Sequence, residues 1–141
     1  MTESELKEMY QVSHTGTNKY SNGNMYSIPV SGIDFEGLQE VTAIFSRDGK
    51  LIGVLTKLPK RKFDYLNKVI AGKYRLVNQQ IPFVGNKSAT YRDGATEIML
   101  EAPHMSFEMS MNYINDELMR AFNSQSEAEA RQKERNEASQ L

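Results

Sequence analysis

The sequence predicts an α+β fold: an antiparallel meander sheet of six to seven strands with a central amphipathic helix packed on one face, flanked by a short N-terminal helix and a C-terminal helix with a loose polar tail. Three observations carry this expectation. The dipeptides Asn22-Gly23, Asp48-Gly49 and Asp93-Gly94 stand between strand-favouring segments and supply the positive φ angles of tight hairpins. Met105, Phe107, Met109, Met111 and Tyr113 alternate with Ser106, Glu108, Ser110 and Asn112, the period of a strand with one face on a core. Phe63, Leu66, Val69, Ile70 and Tyr74 recur close to the 3.6-residue period of an amphipathic helix.

Each element has its own local reason. Residues 3–11 place Leu6, Met9 and Tyr10 on one helical face, with Thr2 as N-cap and Glu5 at capping-box spacing. The first hairpin is expected to join 15–21 to 24–30, the second 39–47 to 50–58 and the third 84–92 to 95–102. Val41, Ala43 and Phe45 alternate with Thr42, Ile44 and Ser46 in the second, and its return strand is rich in Leu, Ile and Val. The central helix is expected over 60–74. A last helix starts at Asn115 or Asp116, either of which can cap it, and runs through Leu118, Met119 and Phe122. Beyond this point apolar anchors vanish, so the reading is one domain over 1–123 and a polar, helix-prone or disordered tail over 124–141. SRDGK (46–50) and YRDGA (91–95) read as two similar turns, with two helix-plus-strands units as the alternative.

Composition narrows the chemistry. The chain has 141 residues, 39% of them apolar and none of them Cys, which excludes disulfides, thiol nucleophiles and Cys-ligated zinc. Its longest apolar run, Leu51 to Leu55, falls far short of the roughly 20 residues of a spanning helix. The start carries Glu3, Glu5 and Glu8 rather than a basic segment followed by an apolar one. That fits a cytoplasmic protein if the start is native and a periplasmic one if a leader has been removed.

A formal net charge of −1 conceals three blocks. Residues 1–40 hold two basic and six acidic side chains, 41–92 hold eleven and two, and 93–141 hold four and ten. The basic block either pairs with its acidic flanks across the sheet or forms a face for an anionic partner. Lys57, Lys60, Arg61 and Lys62 sharpen the second reading. They stand at the start of the central helix, where the macrodipole favours acids, so an arriving anion would meet both the cations and free backbone N–H groups. Dedicated nucleic-acid binding is disfavoured by the acidic flanks and by the lack of any RNP-like string.

Catalytic and cofactor signatures are missing. No G-x-S-x-G, G-x-G-x-x-G, P-loop or H-E-x-x-H string occurs, and the two histidines, His14 and His104, have no metal-ligand spacing, so no cofactor and no metal are expected. His104, in the turn-like Ala102-Pro103-His104, is the one candidate general base, with Glu101 or Glu108 as its carboxylate partner.

MTESELKEMY, the strand pair around RDGKL, the helix FDYLNKVIAGKY ending in Lys73-Tyr74, and Tyr113-Ile114-Asn115-Asp116 at a helix start resemble small exported proteins of Gram-negative bacteria and their phages. A more distant likeness is to β-lactamase-inhibitor-like folds, and it implies helices on one sheet face with the other free to bind protein. The function expected is a non-enzymatic binding or inhibitor module for a protein or other anionic partner, through the basic surface at 57–62. The alternative is a small hydrolase or transferase using His104.

Overall fold

The computed structural model describes residues 1–140 and is an α+β fold built on one antiparallel sheet of eight strands. The N-terminal helix α1 (Glu3–Met9) starts as expected, with the Glu5 N–H donating to Thr2 Oγ1 at 3.3 Å, and it buries Leu6. Strands β1 (Ser13–Thr17), β2 (Asn22–Ser27), β3 (Glu40–Ser46) and β4 (Leu51–Pro59) follow. A 3-10 turn at Lys60–Lys62 leads into α2 (Phe63–Ala71). Strands β5 (Arg75–Gln80), β6 (Lys87–Asp93), β7 (Thr96–Ala102) and β8 (Glu108–Asn115) then lead into α3 (Asp116–Ser139). Among the described residues no helix is long and apolar enough to cross a membrane.

The strand order is β1-β2-β3-β4-β8-β7-β6-β5, with every neighbouring pair antiparallel. It is therefore two helix-plus-four-strand units joined at their last strands, rather than the single meander the sequence suggested. The RDG echo does not mark this duplication. Asp48-Gly49 turns β3 into β4, whereas Asp93-Gly94 turns β6 into β7, a different hairpin of its unit. What the units do share is a buried second-strand tyrosine bonded to the covering helix. The Tyr26 hydroxyl donates to Glu3 Oε1 on α1 at 2.7 Å, and the Tyr91 hydroxyl donates to Asn67 Oδ1 on α2.

Helices α1 and α2 cover the same sheet face. Leu6 packs on Tyr26, Val41, Ala43 and Phe45, while Phe63, Leu66 and Ile70 pack on Leu58, Tyr91, Ile98, Leu100 and Met109. Helix α3 lies on the opposite face, where Leu118 meets Ile44 and Ile52. It lies close because Gly53 has no side chain: a Cβ there would stand 2.9 Å from Leu118 Cδ2. Asn115 caps α3 by accepting from the Glu117 N–H at 2.9 Å. At the same end the Arg92 guanidinium donates to both Asp116 carboxylate oxygens at 2.7 Å. Past Phe122, α3 continues to Ser139 with side chains that are exposed or only half-buried.

Three expectations are corrected. Strand β5 was not foreseen, because all six of its residues are exposed at the sheet edge and a bulge between Leu76 and Asn78 breaks its register, so no period-2 pattern marks it. Asn22-Gly23 is not the turn of the first hairpin. That turn is Asn18–Ser21, held by Asn18 Oδ1 accepting the Tyr20 and Ser21 N–H groups, while Asn22 (φ 60°) and Gly23 begin β2 with a register shift. Met105 and Phe107 do not join the core face of the last strand; β8 begins at Glu108, and only Met109, Met111 and Tyr113 face inward.

Gly23 is confined by its neighbours, since an added Cβ would lie 2.1 Å from the Phe45 carbonyl oxygen. Gly23→Ala is expected to cost at least about 2 kcal/mol in urea unfolding, the range of an overpacked core position; a loss under about 0.5 kcal/mol, typical of a neutral surface change, would contradict this geometry. A second expectation concerns acid. The Tyr26 hydroxyl and then the Asn24 amide hold the Glu3 carboxyl below its ordinary value, and the Arg92 guanidinium does the same for Asp116. Groups depressed in the folded state stabilise it above the unfolded carboxylate pKa, and lose that contribution as pH falls through the folded one. Thermal melts of the Glu3→Gln/Asp116→Asn variant should therefore fall less steeply than wild type below about pH 4, and parallel curves would refute the linkage.

A candidate binding surface at one end of the sheet

The four basic residues singled out in the sequence gather at the end of β4, but most of their charge is already answered. The loop 33–39 lies against this segment because Gly37 (φ 87°) lets it turn tightly; a Cβ there would stand 3.2 Å from Pro59 Cδ and 3.3 Å from Lys62 Cε. That loop brings Glu36 to Arg61 at 3.2 Å and to Lys62 at 3.7 Å. Lys62 is the most enclosed of the set, its ammonium 5.6 Å from the ring centroids of both Phe35 and Tyr65. Lys57 on β4 pairs with Glu40, which stands opposite it on β3, at 3.5 Å. Lys60 donates from Nζ to the Pro103 carbonyl at 2.8 Å, and its backbone N–H donates to the Phe107 carbonyl at 2.8 Å.

The ion pairs share one pattern. Lys57–Glu40, Arg61–Glu36, Lys62–Glu36 and Arg92–Asp116 each join a cation of the basic block to an acid from a flanking block. The fold thus interleaves the charge blocks wherever it forms a salt bridge among the described residues. Arg61 and Lys62 together hold the Glu36 carboxyl below its usual range, the Arg61 hydrogen bond being the larger cause.

His104 sits in the 103–107 loop between β7 and β8, exposed, with its backbone N–H donating to Asn86 Oδ1 at 2.7 Å. Glu101 and Glu108 are exposed as well, and among the described residues neither carboxylate is hydrogen-bonded to the His104 ring. No group of three or more potential metal ligands occurs among the described residues.

The Asn86–His104 bond ties the 81–86 loop to the 103–107 loop, and these two loops carry what the sequence reading missed. Phe83 and Phe107 are as accessible as in an extended chain, at 103% and 93%, with Met105 at 85% and Val84 at 67%. Met105 also holds a left-handed backbone (φ 66°), unfavourable for a non-glycine residue by about 1–2 kcal/mol. Lys60 joins this surface through its two bonds to the 103–107 loop. One available signal was the string Ile81-Pro82-Phe83-Val84-Gly85, in which apolar residues enclosed by Pro and Gly cannot extend the interior of a strand.

Comparison with protein-family models, with curated proteins and with solved structures finds no match to this chain.

Because Glu36 and Glu40 answer three cations, Glu36→Gln/Glu40→Gln should bind a heparin column more strongly than wild type, eluting at higher salt. Identical elution would show that these carboxylates do not mask the basic run.

Proposed function

We propose that this protein is a non-enzymatic binding module that engages a partner protein through the sheet end bearing the 81–86 and 103–107 loops. The observation that carries the reading is the set of four large apolar side chains, Phe83, Val84, Met105 and Phe107, on two loops tied by the Asn86–His104 hydrogen bond. Partly exposed hydrophobics are common on any surface, but Phe83 and Phe107 expose nearly their whole side chains, and large apolar groups held out in water mark recognition. Phenylalanine and methionine are enriched at interface centres, where they fill pockets of the partner and exclude water. The left-handed Met105 adds a backbone cost that no packing contact of its side chain offsets.

In this reading Lys57, Lys60, Arg61 and Lys62 form the polar rim of the interface rather than its centre. Lys57, Arg61 and Lys62 keep their intramolecular carboxylate partners, so their contribution is to specificity and encounter rate.

A photo-crosslinking phenylalanine analogue placed at Phe83 or at Phe107 in the producing cell should yield the same discrete adduct. The same analogue at exposed Arg47, on the β3–β4 turn at the other end of the sheet, serves as the control. Phe83→Ser/Phe107→Ser should weaken capture of that adduct partner by at least about tenfold, as expected for interface centres, without lowering the melting temperature. His104→Ala should leave capture intact. Crosslinks equal in yield and pattern to those at position 47 would sink the reading.

A further inference from the structure

Between the first turns of α3 and the sheet lies an apolar groove of about 280 Å³. Its floor is Ile44, Leu55, Met99 and Ile114 from β3, β4, β7 and β8; its roof is Met119 and Phe122 from α3. We propose that this groove binds the aliphatic chain of a free fatty acid, with Lys19 at its rim receiving the carboxylate.

The interior selects an aliphatic body. Asn18 offers the groove no free acceptor: its Oδ1 already accepts the Tyr20 and Ser21 N–H groups at 3.0 Å, and its Nδ2 contacts Met25 Sδ at 3.6 Å. A ligand group that must donate would therefore find few partners on entry, at a penalty that an alkyl chain avoids. Met99 and Met119 line opposite walls, and unbranched thioethers repack readily around chains of different curvature. Sites for small ligands are concave, mostly apolar and supplied with a few orienting polar groups.

The rim supplies such a group. Tyr20 forms one side of the groove, stacked edge to face with Phe122 at 5.0 Å between centroids, and the Lys19 ammonium stands 4.9 Å from the Tyr20 ring. A cation beside an aromatic wall at the edge of an apolar slot complements an amphiphile with one anionic end. Glu129, the acidic residue of α3 whose charge reaches Lys19, is the competitor that a bound carboxylate would partly replace.

Titration calorimetry with sodium laurate below its micelle concentration tests the proposal, with dodecan-1-ol as the uncharged analogue. Wild type should bind laurate saturably at one site. Met99→Glu, a change on the open sheet face that places a carboxylate in the groove, should weaken both ligands by about tenfold or more. Lys19→Ala, on an exposed turn, should weaken laurate by about threefold, the size of one exposed charge pair, and leave dodecan-1-ol unchanged. Glu129→Gln should strengthen laurate binding by a similar factor. Circular dichroism melts establish that each variant is folded. Absence of saturable laurate binding, binding unaltered in folded Met99→Glu, or equal weakening of both ligands by Lys19→Ala would each overturn the assignment.

Discussion

The antiparallel pairing of β4 with β8 is the seam on which everything else rests. Seven residue pairs, from Gly53 opposite Ile114 to Pro59 opposite Glu108, join the two four-stranded units into one sheet. Thr56 reinforces the seam from inside, its hydroxyl donating to the Met111 carbonyl and its N–H to Asn112 Oδ1 at 3.3 Å. Sheet pairing of this length aligns the two apolar faces in one plane, so that α1 and α2 lie side by side on one face. The same seam creates the floor for α3, since Gly53, Leu55 and Ile114 come from its two strands.

The ends of the sheet take on different roles because the seam runs both strands through to the surface. Where β4 leaves the sheet and β8 enters it, the backbone of Lys60 bonds to Phe107, and the apolar loops 81–86 and 103–107 stand beside the basic turn. At the other end, the Arg92–Asp116 pair and the bond from the Asp116 N–H to the Ala95 carbonyl at 2.9 Å fix the start of α3. Both ends carry ion pairs, but only the end at the basic turn also leaves Phe83, Met105 and Phe107 in water.

Legibility in the sequence followed burial. Hairpins β3–β4 and β6–β7 were readable because their strands bury apolar side chains and their turns hold a glycine at positive φ, as at Gly49 and Gly94. The helix caps at Thr2 and Asn115 were readable because capping depends on neighbours two or three residues away. Strand β5 was unreadable for the opposite reason, having no buried face to impose a period. Met105 and Phe107 misled because they continue the alternation of Met109, Met111 and Tyr113; Pro103 and the left-handed Met105 turn the chain before the strand begins.

The candidate surface divides along the same line. Sequence alone located the basic run 57–62 and the segregation of charge into an acid, a base and an acid block, because both are sums over consecutive residues. Whether those charges face outward was decided only when Glu36 and Glu40, which precede the basic run by a strand, were brought back against it by Gly37 and the β3–β4 register. The apolar projection was likewise hidden, since Phe83 and Phe107 are far apart in the chain and meet one surface only through the pairing of β6 with β7. Local spacing determined the hairpins, caps and helix faces; the assignment of each exposed side chain to a partner or to water required the long-range pairing that no local window contains.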